Sequence, residues 1–233
     1  MVFAGIQKLS LLDYPGRVAC TLFTMGCNFR CPWCHNAGLV LPDQLPEGAL
    51  DGEEVLTFLR RRQGVLDGVA ITGGEPLLHA EALEEFLPAV KALGYGVKLD
   101  TNGSFPEALR RLVERGLVDR VAMDVKNGPS RYGETIGLRG SVPAAVERSR
   151  DFLLSGAVDY EFRTTVVKEL HTAEDFHWIG GMIRGARRYF LQSFTDRDTV
   201  PFEGFHAPEK AEMEHYLEIA REYVPAAQLR GVE

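Results

Sequence analysis

The sequence predicts an α/β fold in which six β/α units build a largely parallel sheet. Short apolar runs rich in β-branched residues alternate along the chain with stretches whose apolar residues recur at helical spacing. Four of these helical stretches are followed by a glycine, the residue that most readily closes a helix in the left-handed conformation. Such alternation implies right-handed crossovers and strands buried on both faces. The sheet is then either open and doubly wound or a barrel of fewer than eight strands, and periodicity alone does not decide between the two.

The predicted strands are the β-branched runs Val18 to Phe23, Val69 to Thr72, Gly96 to Thr101, Val121 to Lys126, Tyr160 to Val167 and Tyr189 to Gln192. The predicted helices are Asp51 to Arg62, Ala80 to Leu93, Pro106 to Arg115, Val142 to Leu154, Thr172 to Ile183 and, near the end, Pro208 to Tyr223. The alternation stops after Phe194. We therefore expect residues 1–194 to form a single-domain core with an N-terminal lead-in, and residues 195–233 to form a loop and a helix packed on that core.

Composition excludes several classes of protein. The 233 residues are 45% hydrophobic and 25% charged, which are ordinary globular proportions. The formal net charge of -7 provides no overall basic field, so we expect neither nucleic acid nor a membrane as a partner. No stretch reaches the roughly 18 consecutive apolar residues of a transmembrane helix. The first 16 residues lack a secretory pattern, which predicts a cytoplasmic protein with reduced cysteines.

Three of the four cysteines lie within eight residues, and this cluster is the most informative feature of the sequence. Cys27, Cys31 and Cys34 follow the first predicted strand, at the end of the sheet where β/α folds place their chemistry. Three thiolates at this spacing can bind three corners of a four-iron cubane and leave the fourth iron open to a ligand. Cys20 lies within the predicted strand and is expected to pack as a small hydrophobic residue.

Other interpretations of the cysteine cluster remain open. A zinc ion would take His35 as its fourth ligand, but His35 directly follows Cys34 and is poorly placed to bind the same ion. Cys20 would complete an electron-transfer cluster, and a disulfide or unreactive thiols would carry no metal chemistry. We favour a three-cysteine cluster with an open iron over these alternatives.

Polar residues also lie at the C-terminal ends of the next three predicted strands. These motifs are Gly73-Gly74-Glu75, Asp100-Thr101-Asn102-Gly103 and Asp124-Val125-Lys126. Glycines permit a ligand to approach the backbone closely, and Glu75 offers an acceptor to a cationic amine. Carboxylates at adjacent strand ends are costly to bury unless cations pair with them. A tight turn or a helix cap would explain one motif alone, whereas three motifs on successive strands favour a ligand site.

The cysteine loop resembles the motif of a known superfamily. The segment Cys27-Asn28-Phe29-Arg30-Cys31-Pro32-Trp33-Cys34 is similar to the cluster motif of radical S-adenosylmethionine (SAM) enzymes, including an aromatic residue before the last cysteine. The resemblance implies a partial (β/α)6 barrel of the TIM type, a [4Fe-4S] cluster on the three cysteines, and SAM chelating the open iron. It also implies that Gly73, Gly74 and Glu75 bind the methionine amino group and that Trp33 is a cofactor-binding residue.

Further motifs narrow this resemblance. Asp13-Tyr14-Pro15-Gly16, Cys34-His35-Asn36 and the two motifs that begin with Asp100 and Asp124 are similar to those of glycyl radical enzyme activases. The similarity implies that Lys126 contacts the SAM carboxylate and that Asp100 and Asp124 help to hold a monovalent cation. Asn102 is expected among the cofactor-binding residues, and Arg163 is expected to bind SAM or the substrate.

Two later segments resemble the branch of anaerobic ribonucleoside-triphosphate reductase activating proteins. They are Phe162-Arg163-Thr164-Thr165-Val166-Val167 and Leu191-Gln192-Ser193-Phe194. The resemblance implies reductive cleavage of SAM to a 5′-deoxyadenosyl radical and formation of a glycyl radical on a partner similar to a class III ribonucleotide reductase. It further implies flavodoxin or ferredoxin as the electron donor. One departure is that Gln192 and Ser193 occupy the region where pyruvate formate-lyase activases have a histidine that reaches SAM.

Two other functions stay open at this point. A small-molecule radical SAM enzyme, similar to 7-carboxy-7-deazaguanine synthase, would turn over without any protein partner. A non-catalytic iron–sulfur or zinc protein would bind no SAM and would leave the motifs after Thr72 without a purpose.

Overall fold

The computed structural model describes residues 1–41, 45–140 and 143–232. Its strands are β1 (Val2–Phe3), β2 (Gly5–Ser10), β3 (Ala19–Thr24), β4 (Leu50–Asp51), β5 (Gly68–Gly73), β6 (Gly96–Thr101), β7 (Arg120–Asp124), β8 (Asp159–Val166), β9 (Tyr189–Ser193) and β10 (Gln228–Arg230). Its α-helices are α1 (Ala37–Val40), α2 (Gly52–Arg61), α3 (Ala80–Ala92), α4 (Pro106–Glu114), α5 (Tyr132–Thr135), α6 (Ala144–Leu154), α7 (Ala173–Met182) and α8 (Lys210–Tyr223). A 3-10 turn, Pro76–His79, joins β5 to α3.

The main sheet has the strand order β10-β9-β8-β7-β6-β5-β3-β2. All neighbouring pairs from β3 to β10 are parallel, and β2 pairs with β3 in the antiparallel direction. The order follows the chain without the reversal that marks a doubly wound sheet. Residues from β2 through to β9 line one cavity, so the sheet curls around it as a partial barrel with β2 and β10 at its edges.

The predicted α/β fold with its partial barrel is confirmed. Each of the six predicted strands overlaps an observed strand, with ends that differ by no more than two residues. The predicted helices agree equally well where they can be compared. The expected helix start at Val142 lies outside the described residues, and α6 is observed from Ala144 to Leu154.

The structure has four strands that the sequence pattern does not predict: β1 and β4, which form a separate two-stranded sheet, and β2 and β10, which extend the main sheet. The N-terminal lead-in contains β2, whose middle residues are exposed because it is an edge strand, so no buried apolar run marks it. The chain end contains β10, whose three residues are too few to show periodicity. Residues 195–232 therefore contribute a strand to the main sheet in addition to the expected loop and helix.

The two faces of the sheet bury different side chains. The outer face packs apolar residues such as Leu22, Ile71 and Leu99 against the helices, and all three are fully buried. The inner face carries charged groups, because Lys98 lies two residues before Asp100, which lines the cavity, and alternate residues of a strand share a face. None of the described helices is long and apolar enough to span a lipid bilayer.

Candidate active site

The clustered cysteines lie in the loop between β3 and α1, at the C-terminal end of the parallel sheet. Cys27, Cys31 and Cys34 all line the main cavity, which has a volume of about 470 Å³. Cys20 lies in β3, is fully buried, and packs in the hydrophobic core as predicted. The structure thus brings the three predicted cysteines together at one cavity and places Cys20 in the core.

The three cavity thiols are held in a setting that opposes their ionisation. Burial raises the pKa of all three, in Cys31 to about 12. Lys126 lowers the pKa of Cys31, whereas the neighbouring sulfurs of Cys34 and Cys27 raise it further, since one thiolate repels another. Three such sulfurs become thiolates together when a metal centre supplies the compensating positive charge.

The end of β5 holds the start of the cysteine loop through the backbone. The Gly74 amide donates to the Thr24 carbonyl at 3.0 Å, and the Glu75 amide donates to the Gly26 carbonyl at 2.7 Å. A Cβ on Gly74 would lie 1.9 Å from the Gly26 oxygen, so no larger residue fits there. Gly73 has φ of +121° and its Cβ would lie 2.4 Å from the Thr24 backbone. These glycines permit a close approach between two loops of the protein itself.

Two side chains that the sequence did not single out as functional add to this attachment. The ring of His79 contacts the Met25 carbonyl through Nε2 at 2.6 Å. The Asn36 side-chain amide donates to the Gly73 carbonyl at 3.2 Å. The cysteine loop is therefore fastened to the β5–α3 connection on both sides of the three sulfurs. The signals in the sequence were the position of His79 shortly after the glycine motif and the presence of Asn36 in the Cys34-His35-Asn36 motif.

Glu75 is fully buried and lines the cavity. Its Oε1 accepts hydrogen bonds from the Leu77 amide at 3.1 Å and the Thr101 hydroxyl at 2.7 Å. Its Oε2 accepts one from the Asn102 amide at 2.7 Å, which leaves a lone pair on Oε2 for an ammonium donor. Burial raises the pKa of Glu75 to about 7 although all three donors favour the ionised form.

The carboxylates of Asp100 and Asp124, near the ends of β6 and β7, both form ion pairs with the guanidinium of Arg163 on β8. Arg163 donates from Nη1 to Asp100 and from Nε to Asp124, both at 3.0 Å. Lys98 also pairs with Asp100, and Lys126 donates to the second oxygen of Asp124 at 2.8 Å. Burial would raise the pKa of Asp124, but Arg163 and Lys126 lower it to about 2. The guanidinium of Arg163 thus lies between the two aspartates, and the monovalent cation expected on them stays a prediction.

Lys126 presents its ammonium group to the cavity beside Trp33. The Lys126 Nζ lies 5.2 Å from the centre of the Trp33 ring, within cation–π range. The Trp33 indole donates to the Thr135 carbonyl at 2.9 Å, which fixes the orientation of the ring. His171, fully buried and outside any predicted site, contacts the Lys126 carbonyl through Nε2 at 2.9 Å. Burial lowers the pKa of His171, so this ring is a neutral donor that positions Lys126.

The ring of His35 is held by the loop that follows β9. Its Nε2 lies 2.6 Å from the Thr195 carbonyl, and its ring stacks on Phe194 with centroids 5.1 Å apart. Across residues 1–41, 45–140 and 143–232, no three His, Cys, Asp or Glu side chains are grouped so as to hold one metal ion. The loop that follows β9 therefore contacts the cysteine loop through His35.

Polar groups form the rest of the cavity wall. Gln7, Asp13, Thr21, Thr165, Gln192 and Arg197 line it together with the predicted residues. Gln7 lies on β2 and Gln192 lies on β9, near the two sides of the gap between the sheet edges. These amide side chains are suited to hydrogen-bond a polar substrate such as a peptide backbone.

The chain resembles known families of proteins over most of its length. The model of the radical SAM superfamily matches residues 21–154. The "Putative glycyl-radical enzyme activating enzyme MJ1227" of Methanocaldococcus jannaschii is 30% identical over 237 residues, covering 98% of this chain and 95% of that protein. The 7-carboxy-7-deazaguanine synthase of Thermococcus kodakarensis is 26% identical over 213 residues, covering 84% and 79%. A pyruvate formate-lyase-activating enzyme of Clostridium pasteurianum is 33% identical over 134 residues, covering 53% and 51%.

Solved structures share the fold. A domain of the pyruvate-formate lyase-activating enzyme from Bacteroides vulgatus superimposes with a TM-score of 0.58 at 16% identity, covering 70% of this chain and 99% of that one. SuiB of Streptococcus suis, bound to S-adenosylmethionine, superimposes with a TM-score of 0.67 at 14% identity, covering 89% of this chain and 49% of that one. At these identities the agreement supports the architecture of the barrel.

Proposed function

This chain belongs to the radical SAM superfamily, with the glycyl-radical enzyme activating enzymes, and from this premise we propose that it installs a glycyl radical on a ribonucleotide reductase. Enzymes of this superfamily use a [4Fe-4S] cluster and SAM as cofactors. When bound, these groups supply one-electron reductive cleavage of the SAM sulfonium, giving a 5′-deoxyadenosyl radical that removes a hydrogen atom from the substrate. The observation that carries the proposal is that the three clustered cysteines, Glu75 and Lys126 all line one cavity.

The residues present fit both cofactors. Burial raises the pKa of all three thiols, and the sulfurs of Cys34 and Cys27 raise that of Cys31 further, so a cationic centre such as an iron–sulfur cluster is needed to make them thiolates. Glu75 and Lys126 line the same cavity as the sulfurs, and Glu75 in its ionised form is opposite in charge to Lys126. This pair is suited to an amino acid end, with the Glu75 carboxylate toward an ammonium and the Lys126 ammonium toward a carboxylate. Cys27, Cys31 and Cys34 would hold the cluster.

The other predicted residues have supporting roles in this proposal. Gly73 and Gly74 hold the cysteine loop, and Trp33 shields Lys126 from water on one side. Asp100, Asp124 and Arg163 form an ion network under the cavity that orients Lys126, and Asn102 holds Glu75 through its backbone amide. Protein side chains thus bind and orient the cofactors, and we assign no general base.

A protein substrate suits the open flank of the barrel. The sheet edges β2 and β10 are separate, and the cavity reaches from β2 to β9. A loop that carries a glycine can enter such a gap, and Gln7 and Gln192 can bond its backbone. The similarity of the segments around Arg163 and Gln192 to activating proteins of anaerobic reductases supports a class III ribonucleotide reductase as partner. We propose flavodoxin or ferredoxin as the electron donor, since the cluster needs a low-potential one-electron source.

The test is an anaerobic assay with and without candidate glycyl radical proteins. The reconstituted chain is reduced with dithionite, 5′-deoxyadenosine is quantified, and the glycyl radical is detected by electron paramagnetic resonance. We expect radical formation on a class III reductase, and loss of both signals in Cys31→Ala. The matched control is Cys20→Ala, which removes the core cysteine and retains both signals. Unchanged 5′-deoxyadenosine formation by Cys31→Ala would falsify the cluster assignment.

A second candidate is a small-molecule enzyme similar to 7-carboxy-7-deazaguanine synthase. The match to such a synthase over 84% of this chain favours it. This candidate predicts conversion of a heterocyclic substrate by ring contraction with no protein partner present. Product formed from the small molecule alone, with no radical on any candidate reductase, would select it over the activase.

A further inference from the structure

Asn102 contacts Cys27 as well as Glu75. Its side-chain Nδ2 lies 3.9 Å from the Cys27 Sγ and 3.0 Å from the Asn28 Oδ1. The Asn102 side chain is buried, and its backbone amide is fixed by the bond to Glu75. Both hydrogens of the amide group therefore have a partner, one on Asn28 and one on the sulfur.

Three side chains form a closed ring of hydrogen bonds beside this sulfur. Asn28 Nδ2 donates to the Ser104 hydroxyl at 2.9 Å, the Ser104 hydroxyl donates to Asn102 Oδ1, and Asn102 Nδ2 donates to Asn28 Oδ1. Each member donates to the next in the same direction. Donors and acceptors around such a ring polarise one another and stiffen the whole arrangement.

One backbone amide fixes the direction of the ring. The Ser104 N–H points at the Asn102 side chain at 2.9 Å, and an N–H can only donate, so the atom it meets is Oδ1. The Nδ2 of Asn102 must then face Asn28 and Cys27. A flipped amide would set an oxygen against the sulfur and against Asn28 Oδ1, and a donor against the Ser104 N–H, which costs three hydrogen bonds.

We propose that this ring makes Asn102 a donor to the Cys27 sulfur in the loaded enzyme and thereby raises the reduction potential of the cluster. The inference rests on the proposed cluster site. An N–H donor draws electron density from a ligating sulfur and stabilises the reduced, more negative cluster. The step is the gain of one electron from dithionite or a low-potential donor protein, and no bond is made or broken. Asn28 and Ser104 are positioning residues that act through Asn102.

The backbone provides a second donor to the same sulfur, since the Phe29 amide lies 3.4 Å from Cys27 Sγ. Cys27 thus receives one N–H from its own loop and one from the end of β6. The Phe29 amide belongs to the loop backbone, whereas the Asn102 donor depends on the ring. Side-chain substitutions in the ring therefore act on the Asn102 donor alone.

The experiment is a redox titration of the reconstituted chain without substrate, followed by electron paramagnetic resonance, with iron and sulfide counted for each variant. We expect Asn102→Leu to lower the ratio of reduced to oxidised cluster about tenfold at the wild-type midpoint, which corresponds to a shift of about 59 mV for one electron. Ser104→Ala, which keeps the backbone donor to Asn102, should give a smaller shift in the same direction. Ser104→Thr restores the hydroxyl and the potential.

The matched control is Thr165→Val, which changes a polar residue of the cavity wall on β8 and should leave the potential unchanged. A wild-type potential in fully loaded Asn102→Leu would overturn the proposal. If Asn102→Leu does not load, the comparison of Ser104→Ala with Ser104→Thr decides it, and equal potentials there overturn the ring. The titration measures neither a partner protein nor SAM turnover. The shift in potential can therefore be interpreted even if the activase proposal fails.

Discussion

Glu75 shows how one buried group links the site to pH. Burial raises its pKa to about 7, against the three donors that favour the carboxylate. A group with a pKa near neutrality changes charge over the range in which the enzyme is handled. Its charge matters because a carboxylate attracts an ammonium ligand and a neutral carboxyl group does not.

We expect the affinity for SAM to increase as the pH rises through about 7, since ionised Glu75 attracts the methionine ammonium. In Glu75→Gln, the affinity should be weaker at pH 8 and nearly independent of pH between about 6 and 8. Calorimetric titration of the reconstituted enzyme with SAM measures both. Identical pH profiles in the two proteins would rule out Glu75 as the amine ligand.

In the chain without cofactors, Glu75 should make the free energy of unfolding decrease as the pH rises, which is opposite to the expected trend in SAM affinity. The folded-state pKa of Glu75 lies above the unfolded value of about 4.3, so the folded state binds more protons than the unfolded state between these values. Its contribution to stability is therefore complete below about pH 4.3 and is lost as the pH rises through 7. Urea unfolding of the wild type and Glu75→Gln across this range separates this effect from binding.

Gly74 tests the attachment of the cysteine loop to β5. In Gly74→Ala the new methyl group would lie 1.9 Å from the Gly26 oxygen, so the loop must move away. We expect iron content per chain to fall severalfold while the far-ultraviolet circular dichroism stays that of the wild type. The control is Gly181→Ala in α7, where a Cβ meets no atom within 4 Å and helix propensity favours alanine. Full loading of Gly74→Ala would show that the contact is dispensable.

At the scale of elements, three adjacent strands are joined by charge at their C-terminal ends. Asp100 is the last residue but one of β6, Asp124 ends β7, and Arg163 from β8 pairs with both. All three side chains are largely buried, with exposed fractions of 12%, 26% and 14%. Each charge is tolerated because its partners are fixed on neighbouring strands.

Removal of the Arg163 guanidinium should lower the free energy of unfolding by more than the loss of its own hydrogen bonds. In Arg163→Met, Asp100 keeps Lys98 and Asp124 keeps Lys126, but each carboxylate has lost one buried partner. We expect a loss of about 3–5 kcal/mol in the free energy of unfolding, measured by urea denaturation of the chain without cofactors. Arg60→Met, which breaks an exposed pair with Glu53 at 3.9 Å, should cost less than about 1 kcal/mol. Equal losses would contradict a special role for Arg163.

The elements also show what the sequence can reveal. The parallel strands were predictable because burial on both faces leaves continuous apolar runs, and the cysteines because their spacing matches one kind of metal centre. The ring of Asn28, Ser104 and Asn102 was not predictable from the sequence, since it joins Asn28 through side-chain contacts to residues more than 70 positions away. The place of Arg163 between two aspartates likewise depends on the register of β6, β7 and β8, which pattern alone does not set.

At the scale of the whole molecule, the edge strand β10 is linked to the inner strands of the sheet by charge. Arg230 of β10 donates to Glu161 of β8 at 3.0 Å, and Arg120 of β7 pairs with the same carboxylate. Glu161 is 1% exposed, so its charge depends on both partners. We propose that residues 195–232 belong to the core and complete its charge balance, in addition to covering its surface.

The ion pair between Arg230 and Glu161 predicts a pH-dependent loss of stability in Arg230→Met. Burial would raise the pKa of Glu161, but Arg230 and the other cations lower it, so ionised Glu161 stabilises the fold above its unfolded pKa of about 4.3 and this stabilisation is lost as the pH falls through the folded value. We expect the variant to be about 1.5–3 kcal/mol less stable near pH 7, with a difference that shrinks in acid. Urea unfolding at several pH values measures this, with Arg148→Met as the exposed control. A difference independent of pH would mean that Arg230 acts by packing on Phe190, over whose ring it also lies.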